Sequence, residues 1–206
     1  MNPYTYPKSL HLRTEHPPTY TGYRPYKPVL RKEFKKKCVY CRRPDCELHA
    51  EFGVDHYRPQ SQFPALTASY LNLFYACNSC NRLKGKFWPT AAQLTAKKFI
   101  PNPCDHIMYQ HLRYQGASAE AKSVAGKFTA ILLDLNNPAL VNFREASLVA
   151  LAAIESKRRE AMDVLDQLNK LRSSGKSTGP AIEAAIAQAK TDIQKLDLNL
   201  QTLTGE

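Results

Sequence analysis

Two cysteine pairs dominate the chemistry open to this chain. Cys38-Val39-Tyr40-Cys41 and Cys77-Asn78-Ser79-Cys80 are both CxxC. A two-residue gap lets both sulfurs of a pair reach one tetrahedral centre, so Cys38, Cys41, Cys77 and Cys80 together suit one structural Zn²⁺. Between the pairs lie Val54-Asp55-His56-Tyr57-Arg58-Pro59 and Asn72, and Asn81 follows the second pair directly. Hard-oxygen and imidazole groups in this position suit a second, catalytic metal. Cys46 and Cys104 lack a CxxC partner and read as core or loop thiols. His49 reads as structural, with Cys46 and His49 a weaker rival ligand pair.

The charge points to a polyanion. Residues 1–100 carry 17 Lys and Arg against 6 Asp and Glu, a net +11, whereas residues 101–206 carry 12 of each and are neutral. The excess positive charge lies wholly in the half that holds the cysteine pairs, which favours nucleic acid as the partner of that half alone. No run of about 18 apolar residues is present, so no membrane span is expected. The N-terminus has no apolar stretch like that of a secretory signal. Four of six cysteines in CxxC pairs fit metal binding in a reducing compartment, which implies a cytoplasmic location.

The elements that must position these residues are partly legible. Residues 1–29 hold six of the fourteen prolines and five of the eleven tyrosines, and read as an extended arm packed on the domain. Its Tyr-Arg-Pro-Tyr-Lys-Pro run at 23–28 carries groups that stack on bases and pair with phosphate, though packing on its own core is the favoured reading. A short helix is expected over 30–37, where Lys35-Lys36-Lys37 would lie near a bound backbone. Residues 38–88 read as strand (52–57), loop (58–70), strand (71–76) and helix (78–87). A ββα unit this small needs its zinc, because its core is marginal alone. The apolar run from Gly126 fits helix or strand equally. Asn137-Pro138 starts a helix that runs to about Arg172, and Pro180 opens another. Ile182, Ile186, Ala189, Ile193, Leu196, Leu200 and Leu203 form a heptad seam. The seam would fold back on Ala161/Met162, Leu165 and Leu168 as an antiparallel hairpin. The fold class expected is α+β: a zinc-stabilised ββα core with a mainly helical C-terminal part. Its divisions are an arm (1–29), a metal-bearing module (30–100), an extension packed on it (101–144) and the hairpin (145–206).

Over residues 38–88 these motifs resemble the HNH endonucleases, the ββα-metal nucleases that include a zinc-bearing variant. The resemblance implies a metal-dependent phosphodiester hydrolase. It makes Asp55 a metal ligand, His56 the general base, Asn72 the residue that orients His56 and Asn81 the second protein ligand. Asn rather than His at the last position makes the site rich in oxygen and favours Mg²⁺ or Mn²⁺. The chemistry agrees: hydrolysis needs a water deprotonated near neutral pH, and a histidine of ordinary pKa about 6.5 suits that task. Arg58, Arg82, Lys84 and Lys86 lie beside these residues and are candidates to hold the nucleic acid.

A longer resemblance runs over about residues 30–145. Asp55-His-Tyr-Arg-Pro-Gln-Ser, Cys77-Asn-Ser-Cys-Asn-Arg-Leu-Lys-Gly-Lys-Phe-Trp-Pro, Asn102-Pro-Cys-Asp and Leu133-Asp-Leu-Asn-Asn-Pro are similar to the HNH nucleases of bacterial anti-phage systems. The Septu-type and retron-associated effectors are the nearest of these. That similarity implies an ATPase partner in a defence complex. DNA is expected in preference to RNA, and the heptad seam from Ile182 to Leu203, which matches no motif of that family, suggests an assembly surface for self-association or partner docking. The alternatives are a zinc-bearing nucleic-acid-binding module without catalytic activity and an adaptor built on the hairpin. An intact set of Asp55, His56, Asn72 and Asn81 argues against the first. A basic half argues against the second.

Overall fold

Strand β1 (Phe52–His56) pairs antiparallel with β2 (Leu73–Cys77), with Asp55 opposite Phe74 and His56 opposite Leu73. These belong to a computed structural model that describes residues 2–46 and 52–205. All five β2 residues are buried, as befits an aromatic and aliphatic run covered on both faces. Helix α2 (Asn78–Lys84) follows β2 without a loop, because Cys77 is extended and caps it. It ends at Gly85, whose φ of +50° a side chain would disfavour, so the helix stops short of the expected Phe87. The ββα unit is therefore present. β2 starts two residues later than expected because Tyr70–Asn72 forms a 3-10 turn.

Helix α1 (Lys27–Glu33) begins earlier than expected, with Pro28 in its first turn. It ends before the lysine run: Lys35 and Lys36 both take positive φ, 53° and 54°. Lys37 is 3% exposed, and its backbone bridges to Pro44. Only Lys35 and Lys36 of the triplet are therefore at the surface, so Lys37 is not placed to meet a bound backbone as expected of all three. The arm packs on the core, with Tyr4, Tyr6 and Tyr26 buried. Burying each such ring contributes on the order of 2 kcal/mol. Arg13 anchors the arm to β2, donating to the carbonyls of Tyr70 (2.8 Å) and Leu73 (3.0 Å) and pairing with Glu33 at 2.9 Å.

A short helix α3 (Ala91–Thr95) starts in a reciprocal Thr90–Gln93 capping box. Beyond it, a hairpin of β3 (Leu112–Gln115) and β4 (Ser118–Ala121) was not expected. Each strand is only four residues long, and two-residue periodicity is not readable over so short a span. The apolar run resolves as helix α4 (Val124–Leu132), capped by the Ser123 hydroxyl. A Cβ on Gly126 would lie 1.8 Å from the His111 carbonyl oxygen, so only glycine lets α4 meet the chain this closely.

Helices α5 (Pro138–Ser173) and α6 (Pro180–Thr204) start at the two prolines that announce them. The chain divides into a unit of residues 2–145 and a unit of residues 146–204. Within the second, Arg158 pairs with Asp197 and Arg172 with Glu183. The pairs are separated by fourteen residues on each helix (158 to 172, 183 to 197) in opposite directions, which is the register of an antiparallel hairpin. Ile182, Ile186 and Ala189 of the seam are buried, and Ile193, Leu196, Leu200 and Leu203 are half-buried. The class is α+β. Among the described residues no helix is long and apolar enough to cross a membrane. His49 lies outside the described residues.

Candidate active site and metal centre

The four CxxC cysteines converge. Cys38, Cys41, Cys77 and Cys80 are buried, with all four sulfurs within 4.8 Å of one another. Cys41 and Cys77 Sγ are 3.7 Å apart, far beyond a disulfide and close to the edge of about 3.8 Å that 2.3 Å Zn–S bonds impose on a tetrahedron. Burial pushes the Cys38 thiol up, and hydrogen bonds with neighbouring sulfurs push Cys80 up while pulling Cys77 down. Four thiols so crowded ionise together only around a cation, so the donor set fits Zn²⁺.

Local structure explains the convergence. Arg42 at φ 59° turns the first CxxC back on itself, closed by Arg42 N–H to the Cys38 carbonyl (3.0 Å) and Cys38 N–H to the Arg43 carbonyl (2.9 Å). Val39 N–H donates to the Tyr75 carbonyl at 2.9 Å and ties this knuckle to β2. Tyr6 and Tyr114 hydroxyls donate to the Tyr40 and Cys41 carbonyls. The second pair straddles the β2–α2 junction. Cys46 and Cys104 are half-buried, form no disulfide and lie outside this cluster.

Asp55, His56, Asn81 and Lys86 line one cleft of about 510 Å³ that opens to solvent. Asp55 is 2% exposed. Its Oδ2 accepts from the Tyr40 hydroxyl at 2.5 Å and its Oδ1 from Lys84 Nζ at 3.0 Å. Each carboxylate oxygen keeps a second lone pair, so Asp55 can take a cation without losing either partner. Asn81 Nδ2 lies 3.4 Å from the Val54 carbonyl, which leaves its Oδ1 as a candidate hard oxygen donor. Carboxylate and carboxamide oxygens together suit Mg²⁺ or Mn²⁺.

His56 is half-buried at the end of β1. Its Nε2 lies 2.9 Å from the Thr67 carbonyl and 2.9 Å from the Gln60 amide. A carbonyl can only accept, so Nε2 carries the proton and Nδ1 is the basic nitrogen of the neutral ring. Burial pulls the His56 pKa below its ordinary value and Lys84 adds to this, against opposing pushes from Thr67 and Asp55. The ring is therefore neutral at pH 7, the form a general base needs.

Asn72 makes no hydrogen bond to the imidazole among the described residues. Its Oδ1 accepts from Arg58 N–H at 2.8 Å, and its Nδ2 donates to the carbonyls of Arg58 (3.0 Å) and Leu66 (3.3 Å). It thus clamps the loop that carries Gln60 and Thr67 to His56, and any orienting effect passes through that loop. Arg58, Arg82 and Lys86 are exposed. Arg58 lies over the Trp88 and Phe63 rings at 5.4 and 5.8 Å.

Lys84 is elsewhere than its sequence neighbours suggest. It is 2% exposed, pairing with Asp55 and donating to the His56 carbonyl at 2.6 Å. The last turn of α2 faces β1, and a buried carboxylate there needs a counter-charge. Lys84 is therefore an internal strut and not a surface phosphate contact. Asn81 and Lys84, three apart on one helix, share a face, and that spacing could have signalled it. Tyr40 sits inside the first CxxC, yet nothing in its sequence position announces the bond to Asp55.

Comparison with the curated proteins and with the solved structures gives no match. Residues 38–87 match the family model of the HNH endonucleases. With the four-cysteine cluster inside the match, this segment is similar to an HNH endonuclease domain and fits a form of that family with a zinc site.

Proposed function

We propose that the chain is a metal-dependent HNH endonuclease that hydrolyses phosphodiester bonds, with His56 as general base and Asp55 and Asn81 as ligands of a catalytic Mg²⁺ or Mn²⁺. The observation that carries this is the shared, solvent-open cleft of Asp55, His56 and Asn81 inside the HNH segment. His56 Nδ1 takes a proton from water, the water oxygen bonds to phosphorus, and the bond from phosphorus to the leaving sugar oxygen breaks. A divalent cation, when bound, offsets the charge that develops on the leaving oxygen. Arg58, Arg82 and Lys86 hold the phosphate backbone, and such contacts are sequence-blind.

The finer reading has DNA as substrate, a cytoplasmic location, and a role as effector of an anti-phage complex that works beside an ATPase. It rests on the motif similarity over residues 30–145. In this reading the α5–α6 hairpin is the assembly surface, for self-association or for the ATPase. Plasmid nicking with Mg²⁺ or Mn²⁺ tests the core of the proposal. His56→Ala is expected to abolish cleavage and to leave nucleic-acid affinity nearly intact, since the imidazole acts mainly in the transition state. Undiminished cleavage by that variant contradicts the assignment. Salt-sensitive binding without cleavage by the wild type supports the alternative, a zinc-bearing binding module.

A further inference from the structure

The arm reaches the cleft's histidine from more than thirty residues away in sequence. The Tyr23 and His56 rings meet edge to face, with centroids 4.7 Å apart and planes at 77°. Tyr23 does not line the cleft that Asp55, His56 and Asn81 share. It therefore touches the imidazole without occupying the space a substrate would take. The contact is not that of a loose tail. Tyr23 caps the 3-10 turn Arg24–Tyr26, and Pro25 stiffens that turn. Tyr26 N–H donates to the Tyr23 carbonyl at 3.1 Å, and the buried Tyr26 ring sits 5.6 Å from Tyr70. Arg13 pins the preceding stretch to β2 through the Tyr70 and Leu73 carbonyls.

Among the described residues, the hydrogen bond that holds the His56 ring is made at Nε2, whose N–H donates to the Thr67 carbonyl. A hydrogen bond at one nitrogen leaves the ring free to swing about that bond. An aromatic ring packed at a steep angle removes that freedom.

We infer that Tyr23 is a positioning residue for the general base: the N-terminal arm supplies a ring that locks the His56 imidazole in its reactive orientation. The inference rests on the hydrolytic reading of the cleft. It assigns the arm to building the site and not to recruiting nucleic acid. The ring is what matters, so its hydroxyl is dispensable.

The test uses the full-length, zinc-loaded chain and an oligonucleotide duplex with Mn²⁺. Tyr23→Ala and Tyr23→Leu are expected to lower kcat by about 10- to 100-fold, the scale of a small misplacement of a catalytic group, with KM and melting temperature close to wild type. Tyr23→Phe is expected to restore kcat. In ¹⁵N-detected NMR of the imidazoles, the His56 signal should shift or broaden in Tyr23→Ala and return in Tyr23→Phe. Equal kcat in Tyr23→Leu and wild type overturns the inference and leaves the hydrolytic reading standing. A raised kcat, which would mark the arm as a restraint, also overturns it, as does a raised KM at constant kcat. Failure of the wild type to cleave with any divalent metal removes the hydrolytic reading, and the inference with it.

Discussion

Lys84 Nζ lies 3.0 Å from Asp55 Oδ1, and the two side chains are only 1% and 2% exposed. One buried ion pair thus joins the end of α2 to the end of β1, the two elements that carry Asn81 and Asp55. Tyr40 completes it from the first CxxC, and burial together with the Asp55 charge keeps its phenol protonated. The first CxxC knuckle and the cleft are therefore mechanically linked through one carboxylate.

Removing one partner of such a pair strands the other charge in a dry site. Lys84→Ala is expected to destabilise residues 2–145 by about 3–5 kcal/mol in urea unfolding. Combining Asp55→Asn with Lys84→Met should recover part of that loss, because neither charge is then stranded. A Lys84→Ala cost within about 0.5 kcal/mol, typical of a surface position, would contradict the burial argument.

Elemental analysis should find one Zn²⁺ per chain. Cys38→Ser and Cys80→Ser are expected to unfold the ββα unit, and a strong chelator to do the same, since zinc binding to small domains carries roughly 10 kcal/mol of folding energy. Folded, active protein without zinc would refute this.

Glu33 ties the arm to α1 and to the turn before β2. Burial alone would raise its pKa, but hydrogen bonds from His11 and Thr14 and the Arg13 charge outweigh it and hold the carboxyl below its ordinary value. A depressed carboxyl contributes stability above its unfolded pKa of about 4.3, and that contribution is lost as pH falls through the folded value. Glu33→Gln should therefore be less stable than wild type at pH 7, with the gap closing below about pH 4. Melting curves at pH 7 and pH 3 that keep the same gap would exclude the linkage.

Val149, Val164 and Leu198 are 71%, 49% and 62% exposed on the hairpin. If the hairpin is an assembly surface, lysine at these three positions should leave the fold intact and abolish self-association or partner capture. Light scattering after size exclusion and affinity capture read the two outcomes. Unchanged assembly in a folded triple variant would reduce the hairpin to a buttress.

Much of the site was legible before the fold because its signals are local. CxxC spacing fits two sulfurs to one metal whatever surrounds them. Asp55-His56 at a strand end, and Asn81 one residue past a cysteine at a helix start, are set by short-range geometry. The helix starts at Pro138 and Pro180 are equally local, because proline prefers the first turn wherever it occurs. What local pattern could not determine was which polar groups face inward. Lys84 looks like its exposed neighbours Arg82 and Lys86 until β1 packs against α2, and only then does the need to neutralise a buried Asp55 turn it into a strut. Arg13, Tyr23 and Tyr40 reach Glu33, His56 and Asp55 across gaps of 20, 33 and 15 residues. No periodicity encodes such pairings. They form because a buried charge, or a ring at a half-buried site, must find a partner from whatever chain the tertiary structure brings near.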